Sequence, residues 1–521
     1  MESVNAWTGR TACALQAALR LSNEAFAERL GIGVRTIAGW HQKPTLRPQS
    51  EMQQLLDTAL EQASPAVKAR FAALTADSPS DSQQAADAEH RLTADPTISA
   101  ALQWLDLHAN REPGTARRDV ASRLALVDVR QLQDRSTRRV RVNQRQIADA
   151  LSAYYRDTAE DHGQYHAIYG RDGKAITSIL TRPDWLDLNC PLTPANDQLR
   201  VTSTLPDLDL PLDDITAGHA AQRLAETLAA GVRIVNMPLY RLLAVNIRKG
   251  RIAGSAGVSQ FVRYALTMDM LEGELIDALT ADTAVSPGSL PLRDRYLPDV
   301  ASVLDLPGRL CAGGTLALCA IARPASPLRG PADYVLLVQE RSGHVINAAR
   351  TLAVIPKGFH QPMTDYQADV HITATLHREM EEELFGREEI DNTIGDQRRA
   401  DPMHPSLLSE PMRWLLDDED RLRIECTGFG LNLVSGNFEF PCLAIIQDEE
   451  FWTRYGGSIE ANWEAINLRQ YSSLDSELLT ELISDVAWSN EGLFALLQGL
   501  RRLGQIGGDR VNVPDIDWEI Q

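Results

Sequence analysis

A chain of 521 residues is long enough for about three domains, each able to bury its own core. Its 71 Asp and Glu against 51 Lys and Arg give a formal charge of −20, which disfavours a general binder of nucleic acid or of anionic membrane. The six cysteines are scattered, with no Cys-x-x-Cys pair and no metal-ligand spacing to the histidines. No basic segment followed by an apolar one opens the chain, and the apolar run around Leu310 to Ala322 is too short to span a bilayer, so a cytoplasmic protein with no membrane partner is expected.

The charge imbalance spares the first segment, where residues 1–75 carry eight Lys or Arg against six Asp or Glu. Apolar residues recur at helical spacing from Thr11 to Leu21, Ser22 can cap a second helix through Leu30, and Gly31-Ile32-Gly33 supplies a turn into a third helix from Val34 to Trp40. A further helix is expected from Gln49 to Ala63. Phe26, Ala27, Leu30, Ile32 and Ile37 would face inward, which leaves Arg35, Thr36 and Gly39 on the outer face of the third helix. The stretch Leu21 to Trp40, with His41, Lys43 and Pro48 after it, resembles the Cro/repressor-type (XRE) helix-turn-helix family. Asn23, Gly33 and His41 stand where that family often has Gln, a capping Ser or Thr, and Glu. The resemblance implies an all-α DNA-binding domain over residues 1–71. In it Arg35 and Thr36 would approach base edges, Asn23, Trp40, His41 and Lys43 would lie near the phosphate backbone, and a homodimer would place two such helices in adjacent major grooves of double-stranded DNA.

Residues 72–97 are rich in Ala, Ser, Asp, Gln and Pro, a composition that predicts a flexible linker. From 98 to 306 the chain mixes helical stretches (Ile147 to Asp157, His219 to Ala230, Val258 to Leu279) with strand-like runs such as Val232 to Val235, and a mixed middle domain is expected. Ten arginines lie between Arg111 and Arg145, which reads as a solvated face paired to nearby acids or as a phosphate contact. Tyr154, Tyr155, Tyr165 and Tyr169, with His162 and His166 among them, read as core and rim packing or as the lining of a ligand pocket. Prolines between Pro287 and Pro307 suggest a boundary there.

The richest run is Arg378-Glu-Met-Glu-Glu-Glu-Leu-Phe-Gly386. On a helix Glu379, Glu382 and Glu383 stand at i, i+3 and i+4 on one face, with Leu376, Met380 and Leu384 as an apolar stripe beside them; Glu381, Glu388 and Glu389 read as solvated. Clustered carboxylates repel unless a cation sits among them, and hard oxygen ligands suit Mg²⁺ or Mn²⁺, so a metal-phosphate site is expected. Short β-rich runs bracket the helix: Cys311 to Ala322, Tyr334 to Gln339 and Leu352 to Ile355 before it, Leu431 to Val434 and Phe440 to Ile446 after it. Leu474 to Leu503 gives two amphipathic helices.

Arg378, Glu379, Met380, Glu382 and Glu383 resemble the core of the Nudix box, and Pro356-Lys357-Gly358 resembles that family's strand end before it. The chain departs from the box at Phe385, where the family has glycine, and at Val370, where it has glutamate. The resemblance implies an α/β/α Nudix-like sandwich over 307–521, with Glu379, Glu382 and Glu383 as metal ligands, Arg378 holding the carboxylates in place, and Glu382, Glu383 and Glu439 as the catalytic set. Asp448, Glu449 and Glu450 are alternatives to Glu439 as the later-loop carboxylate. The expected whole is a multidomain α and α/β protein. Two functions follow: a DNA-binding transcriptional regulator whose C-terminal domain senses a nucleotide or phosphorylated metabolite, or a magnesium-dependent Nudix hydrolase of a nucleoside diphosphate derivative with an accessory helix-turn-helix.

Overall fold

The computed structural model describes residues 7–44, 46–64, 67–68, 70–71, 92, 96–156, 161–202, 211–232, 234–341, 351–387, 403–456 and 465–521. Residues 72–91 and 93–95 of the expected linker, and Glu388 and Glu389, lie outside that set. The chain divides into two compact units, Met1–His90 and Arg91–Gln521. Among the described residues no helix is long and apolar enough to cross a membrane.

The first unit is built from α1 (Gly9–Leu19), α2 (Asn23–Leu30), α3 (Val34–Gln42) and α4 (Ser50–Glu61). Thr8 caps α1 in a capping box with Thr11, and the Ser22 hydroxyl accepts the Ala25 N–H at 3.2 Å to start α2. Gly31, at φ +69°, ends α2 in the left-handed region that glycine adopts without strain. Leu15, Phe26, Ala27, Leu30, Ile37, Trp40 and Leu56 form the buried centre, with Ile32 partly buried against it. At Gly9 a Cβ would lie 2.5 Å from the Lys43 carbonyl oxygen, so only glycine lets α1 begin this close to the end of α3.

The second unit opens on four helices, α5 (Pro96–His108), α6 (Thr115–Leu126), α7 (Val129–Arg139) and α8 (Gln144–Tyr154), followed by the strands β1 (Gly163–Tyr169), β2 (Gly173–Thr181), β3 (Cys190–Pro191) and β4 (Asp197–Val201). Next come α9 (Asp214–Ala229), β5 (Pro238–Arg248), β6 (Arg251–Gln260), α10 (Phe261–Ala265), α11 (Met270–Thr280), α12 (Pro291–Tyr296) and α13 (Val300–Leu304). The chain continues through β7 (Gly313–Arg323), β8 (Asp333–Arg341), β9 (Leu352–Val354), β10 (Lys357–Phe359), α14 (Ile372–Glu379), a π-helical turn (Met380–Leu384) and α15 (Glu410–Leu416). It closes with β11 (Leu422–Cys426), β12 (Gly430–Asn432), β13 (Asn437–Ile446), α16 (Glu449–Tyr455), β14 (Ala465–Ser472), α17 (Ser476–Ser484), α18 (Asn490–Ile506) and β15 (Ile516–Ile520). The strands expected from the β-rich runs are thus present, whereas the Val232–Val235 run is irregular at its described residues.

The large sheet runs β14-β8-β7-β13-β12-β2-β1-β15, with β7 and β13 parallel; β4, β6 and β5 form a separate three-stranded sheet. Alternation along the central strands sorts side chains onto two faces. Leu316, Leu318, Leu336, Val338, Leu443 and Ile445 pack against Phe494, Leu497 and Leu500 of α18. Cys319, Ile321, Val335, Leu337 and Ile446 pack against Met380 and Leu384 of the acidic helix, with Met412, Leu415 and Phe451. Helices therefore cover both faces.

The boundary expected at 306/307 runs through this sheet. β2 pairs with β12 (Leu431↔Leu180) and β3 with β11 (Cys426↔Cys190). The buried Arg293 also donates to the carbonyls of Leu433 and Val434, and Arg309 to that of Gly436, so residues from before and after the boundary close the same hairpin. Tyr154, Tyr155, Tyr165 and Tyr169 are all buried, which fits the packing reading of that cluster. Phe494 sits at the centre of the α18 face, edge-on to Tyr165 with ring centroids 4.8 Å apart. Phe494→Ala is expected to destabilise the Arg91–Gln521 unit by about 3–5 kcal/mol and to leave the unfolding transition of the first unit in place. Denaturant titration followed by fluorescence checks this; an unchanged transition for the larger unit would contradict the packing described.

Candidate functional site

In the first unit α3 buries Ile37 and Trp40 and turns Arg35 to solvent, with Thr36 half-buried beside it. The helix is short and held on one side by the core, so its outward residues are fixed in direction. The Gln16 amide, itself buried, donates to Asn23 Oδ1 at 2.8 Å and lies 2.9 Å from His41 Nε2 through its oxygen, tying the start of α2 to the end of α3. Lys43 is exposed just past the helix. Trp40, expected near a phosphate backbone, is only 2 % exposed and belongs to the core, because the i, i+3 spacing from Ile37 carries it to the inner face. The outward set is therefore Arg35, His41 and Lys43, with Thr36 and Asn23 partly exposed.

In the second unit the acidic helix does not continue as a regular α-helix: α14 gives way at Met380 to a π turn, which widens the register of the residues after it. Leu376, Met380 and Leu384 still form the expected apolar stripe. Glu381, expected on a solvated face, is 0 % exposed. Its carboxylate accepts the Ser409 N–H at 3.0 Å and the Ser409 hydroxyl at 2.9 Å, anchoring the N-terminus of α15.

Arg378 and Glu379 form a buried ion pair at 2.6 Å, and Arg378 also donates to the Phe359 carbonyl at 3.2 Å, binding the helix to the end of β10. Burial alone would lower the Arg378 pKa; the carboxylates of Glu379 and Glu382 outweigh it and raise the value. A Cβ at Gly358 would lie 1.9 Å from Glu379 Oε1, so the carboxylate rests where any other residue would place its side chain. Glu383 accepts the Lys357 N–H at 2.7 Å and the Gln339 amide at 3.3 Å. Two buried polar atoms on this face of the sheet, Gln339 Oε1 and Thr315 Oγ1, have no hydrogen-bond partner.

β10 divides the acids between the two faces. The amide of Lys357 points to Glu383, while its side chain reaches Glu491 on α18 at 2.6 Å. Glu439 follows Leu443 and Ile445 by the period of two onto that second face, where Lys357, Glu491 and Asn432 are its neighbours. Burial, with Glu491 adding to it, pushes the Glu439 carboxyl well above the usual range. Burial acts the same way on Glu491, yet the Lys357 ammonium, together with the residue's own backbone amide and Ser489, holds it down at about 2. The expected catalytic grouping is thus divided: Glu379, Glu382 and Glu383 lie with the acidic helix, and Glu439 does not join them.

The alternatives to Glu439 have other partners. Asp448 caps α16 through the Glu450 N–H at 2.8 Å, Glu449 pairs with Arg510, and Glu450 pairs with Arg454. Among the described residues no group of three or more His, Cys, Asp or Glu is arranged to hold a metal. Of the box carboxylates, Glu379 faces Arg378, and Glu383 faces the Lys357 amide and Gln339. Sequence reasoning missed Glu491, Asn432 and Gln339; a glutamate in the first turn after the Ser489 cap was the available signal for Glu491.

Comparison with protein-family models finds no match, and comparison with curated proteins finds none either.

The Lys357–Glu491 pair has a pH signature. The folded pKa of Glu491 lies below the ordinary 4.5, so the pair's contribution is complete above about pH 4.5 and is lost as pH falls toward 2. Lys357→Met leaves the Glu491 carboxylate buried without its cation and is expected to cost about 3–5 kcal/mol at neutral pH, with a flatter acid limb between those two values. Urea titrations at neutral and acid pH test this, and wild-type stability at neutral pH would show that the pair is not structural.

Proposed function

We propose that this protein is a DNA-binding transcriptional regulator in which the Met1–His90 unit reads double-stranded DNA and the Arg91–Gln521 unit responds to a nucleotide or phosphorylated metabolite at the acidic helix. The observation that carries the first half is the outward Arg35 on a short helix fixed by its buried face, with His41 and Lys43 exposed at its end. A guanidinium so placed suits bidentate contact to guanine in a major groove. One unit offers few such donors, so site-specific binding calls for a homodimer with two copies of α3 one helical turn apart.

What favours a sensor over a hydrolase is the engagement of the carboxylates by protein donors. Glu379 is paired with Arg378, and Glu383 accepts hydrogen bonds from an amide and from Gln339, so both carboxylates are engaged by groups of the protein itself. Gln339 Oε1 and Thr315 Oγ1 remain as buried polar atoms to which a ligand's polar groups could bind. Phosphates entering beside the half-buried Glu382 would be repelled unless they brought Mg²⁺ or Mn²⁺ as a counter-ion, so ligand binding should strengthen with divalent cation.

Arg35→Ala is expected to weaken site-specific DNA binding by about 1–3 kcal/mol and to relax discrimination at one base position, whereas Lys43→Ala weakens all sequences alike. Footprinting of wild type and both variants on a selected site measures this; no protected site for the wild type would end the DNA-binding reading. For the ligand half, thermal-shift measurement of the full chain with nucleoside diphosphate derivatives, with and without Mg²⁺, should show stabilisation by at least one of them without product formation. Glu382→Gln with Glu383→Gln should remove the Mg²⁺ dependence and keep the fold. Turnover of a stabilising compound would instead favour the hydrolase.

A further inference from the structure

The arginine-rich segment is not absorbed by either site, and the structure divides it into two populations. Arg135 pairs with Glu226 of α9, and Arg139 pairs with Asp277 of α11 through Nε at 2.6 Å; these two stand at i and i+4 and define the inner face of α7. Arg111 and Arg123 are likewise engaged, with Asp214 and with Asp119. Away from those pairs, Arg130 and Arg138 stand on α7 at i and i+8, Arg141 follows the helix and Arg145 is on α8, all four exposed and none in an ion pair among the described residues. Asp134 is the single carboxylate between Arg130 and Arg138.

α7 also lacks what usually holds a surface helix in place. None of its residues is buried, so it is fastened by ion pairs instead of an apolar stripe. Exposed apolar side chains flank it, with Leu126 at 82 % exposure just before it and Val140 at 44 % just after. A segment that presents four exposed guanidiniums, two on α7 and two after it, in a chain of charge −20 is matched to a polyanion, because exposed charges more than about 8 Å away are screened at physiological ionic strength.

We infer that the exposed arginines of α7 and of the segment after it, Arg130, Arg138, Arg141 and Arg145, form a second surface of this protein for the phosphate backbone of duplex DNA, one that contributes affinity without reading sequence. The inference rests on the DNA-binding reading above. The choice of duplex DNA follows from dimensions: eight helical residues separate Arg130 and Arg138 by roughly 12 Å, close to the width of a major groove, about 12 Å. Arg forms bidentate contacts with phosphate, so arginines spaced on this scale suit the backbone of a duplex.

The experiment uses the full chain and a mixed-sequence DNA duplex, with affinity measured at several salt concentrations between about 50 and 200 mM. Replacing the four arginines together by Ala should lower the magnitude of the slope of log affinity against log salt by about 3.6, since each lost phosphate contact removes about 0.9. Replacing them by Lys should keep the slope, and circular dichroism should show the helix content of both variants unchanged. A slope in the Ala variant equal to that of wild type would overturn the inference, as would equal losses in the Ala and Lys variants. So would a variant whose only loss is binding to phosphatidylserine vesicles, which would assign the face to a membrane. Arg35→Ala in the same assay separates the two readings: if wild type binds no duplex at low salt both fall, and if Arg35→Ala abolishes a selected site while the four-arginine variant changes nothing, only this one does.

Discussion

β7 and β13 lie side by side in parallel from Gly313↔Phe438 to Ile321↔Ile446, and their side chains are buried on both faces along nearly their whole length. A strand buried on both faces requires a cover on each, and the rest of the second unit follows from that requirement. α18 supplies one cover through Phe494, Leu497 and Leu500; the acidic helix with α15 and α16 supplies the other through Met380, Met412 and Phe451. The glutamates are held at the sheet because Met380 and Leu384 on the same turn are part of its core. Strands from earlier in the chain extend the sheet past β12 and share its core, and for that reason residues on either side of 306 form one unit.

Charge is brought into this interior only with a partner. Burying an ion without one costs several kcal/mol, and the buried charges around β10 and the acidic helix meet an opposite charge or hydrogen-bond donors, while Arg293 and Arg309 donate to backbone carbonyls. Arg378 meets Glu379, Lys357 meets Glu491, and Glu381 meets the Ser409 amide and hydroxyl. At Glu439 burial raises the carboxyl well above the usual range, and the neighbouring Glu491 adds to the shift. Lys357 serves both faces of the sheet, one with its amide and the other with its ammonium.

The first unit solves a smaller version of the same problem. Its helices are short, and their packing depends on Phe26, Ile37, Trp40 and Leu56 meeting at one centre. The buried Gln16 replaces a charged pair at the junction of α1, α2 and α3, making its hydrogen bonds to Asn23, His41 and the Leu21 carbonyl. Such a fully partnered amide holds α3 at a fixed angle without the desolvation cost of an ion pair.

The amino-acid sequence determined what depends on a few neighbouring residues: the Ser22 cap, the glycine that ends α2, the strands β7, β8 and β13, and the 376, 380, 384 stripe of the acidic helix. These are legible because cap chemistry and the periods of helix and strand act over a turn or a few residues. Where Glu381, Glu439 and Trp40 point was decided by the tertiary structure alone. Glu381 is buried because Ser409 arrives from 28 residues away to claim it, and Glu439 faces Lys357 and Glu491 because of which strands pair and which helix covers them. The π turn, the sheet that crosses residue 306 and the split of the arginines into paired and unpaired sets have the same origin. Each depends on contacts between segments far apart in the chain, and local periodicity carries no record of which segment will supply the opposing group.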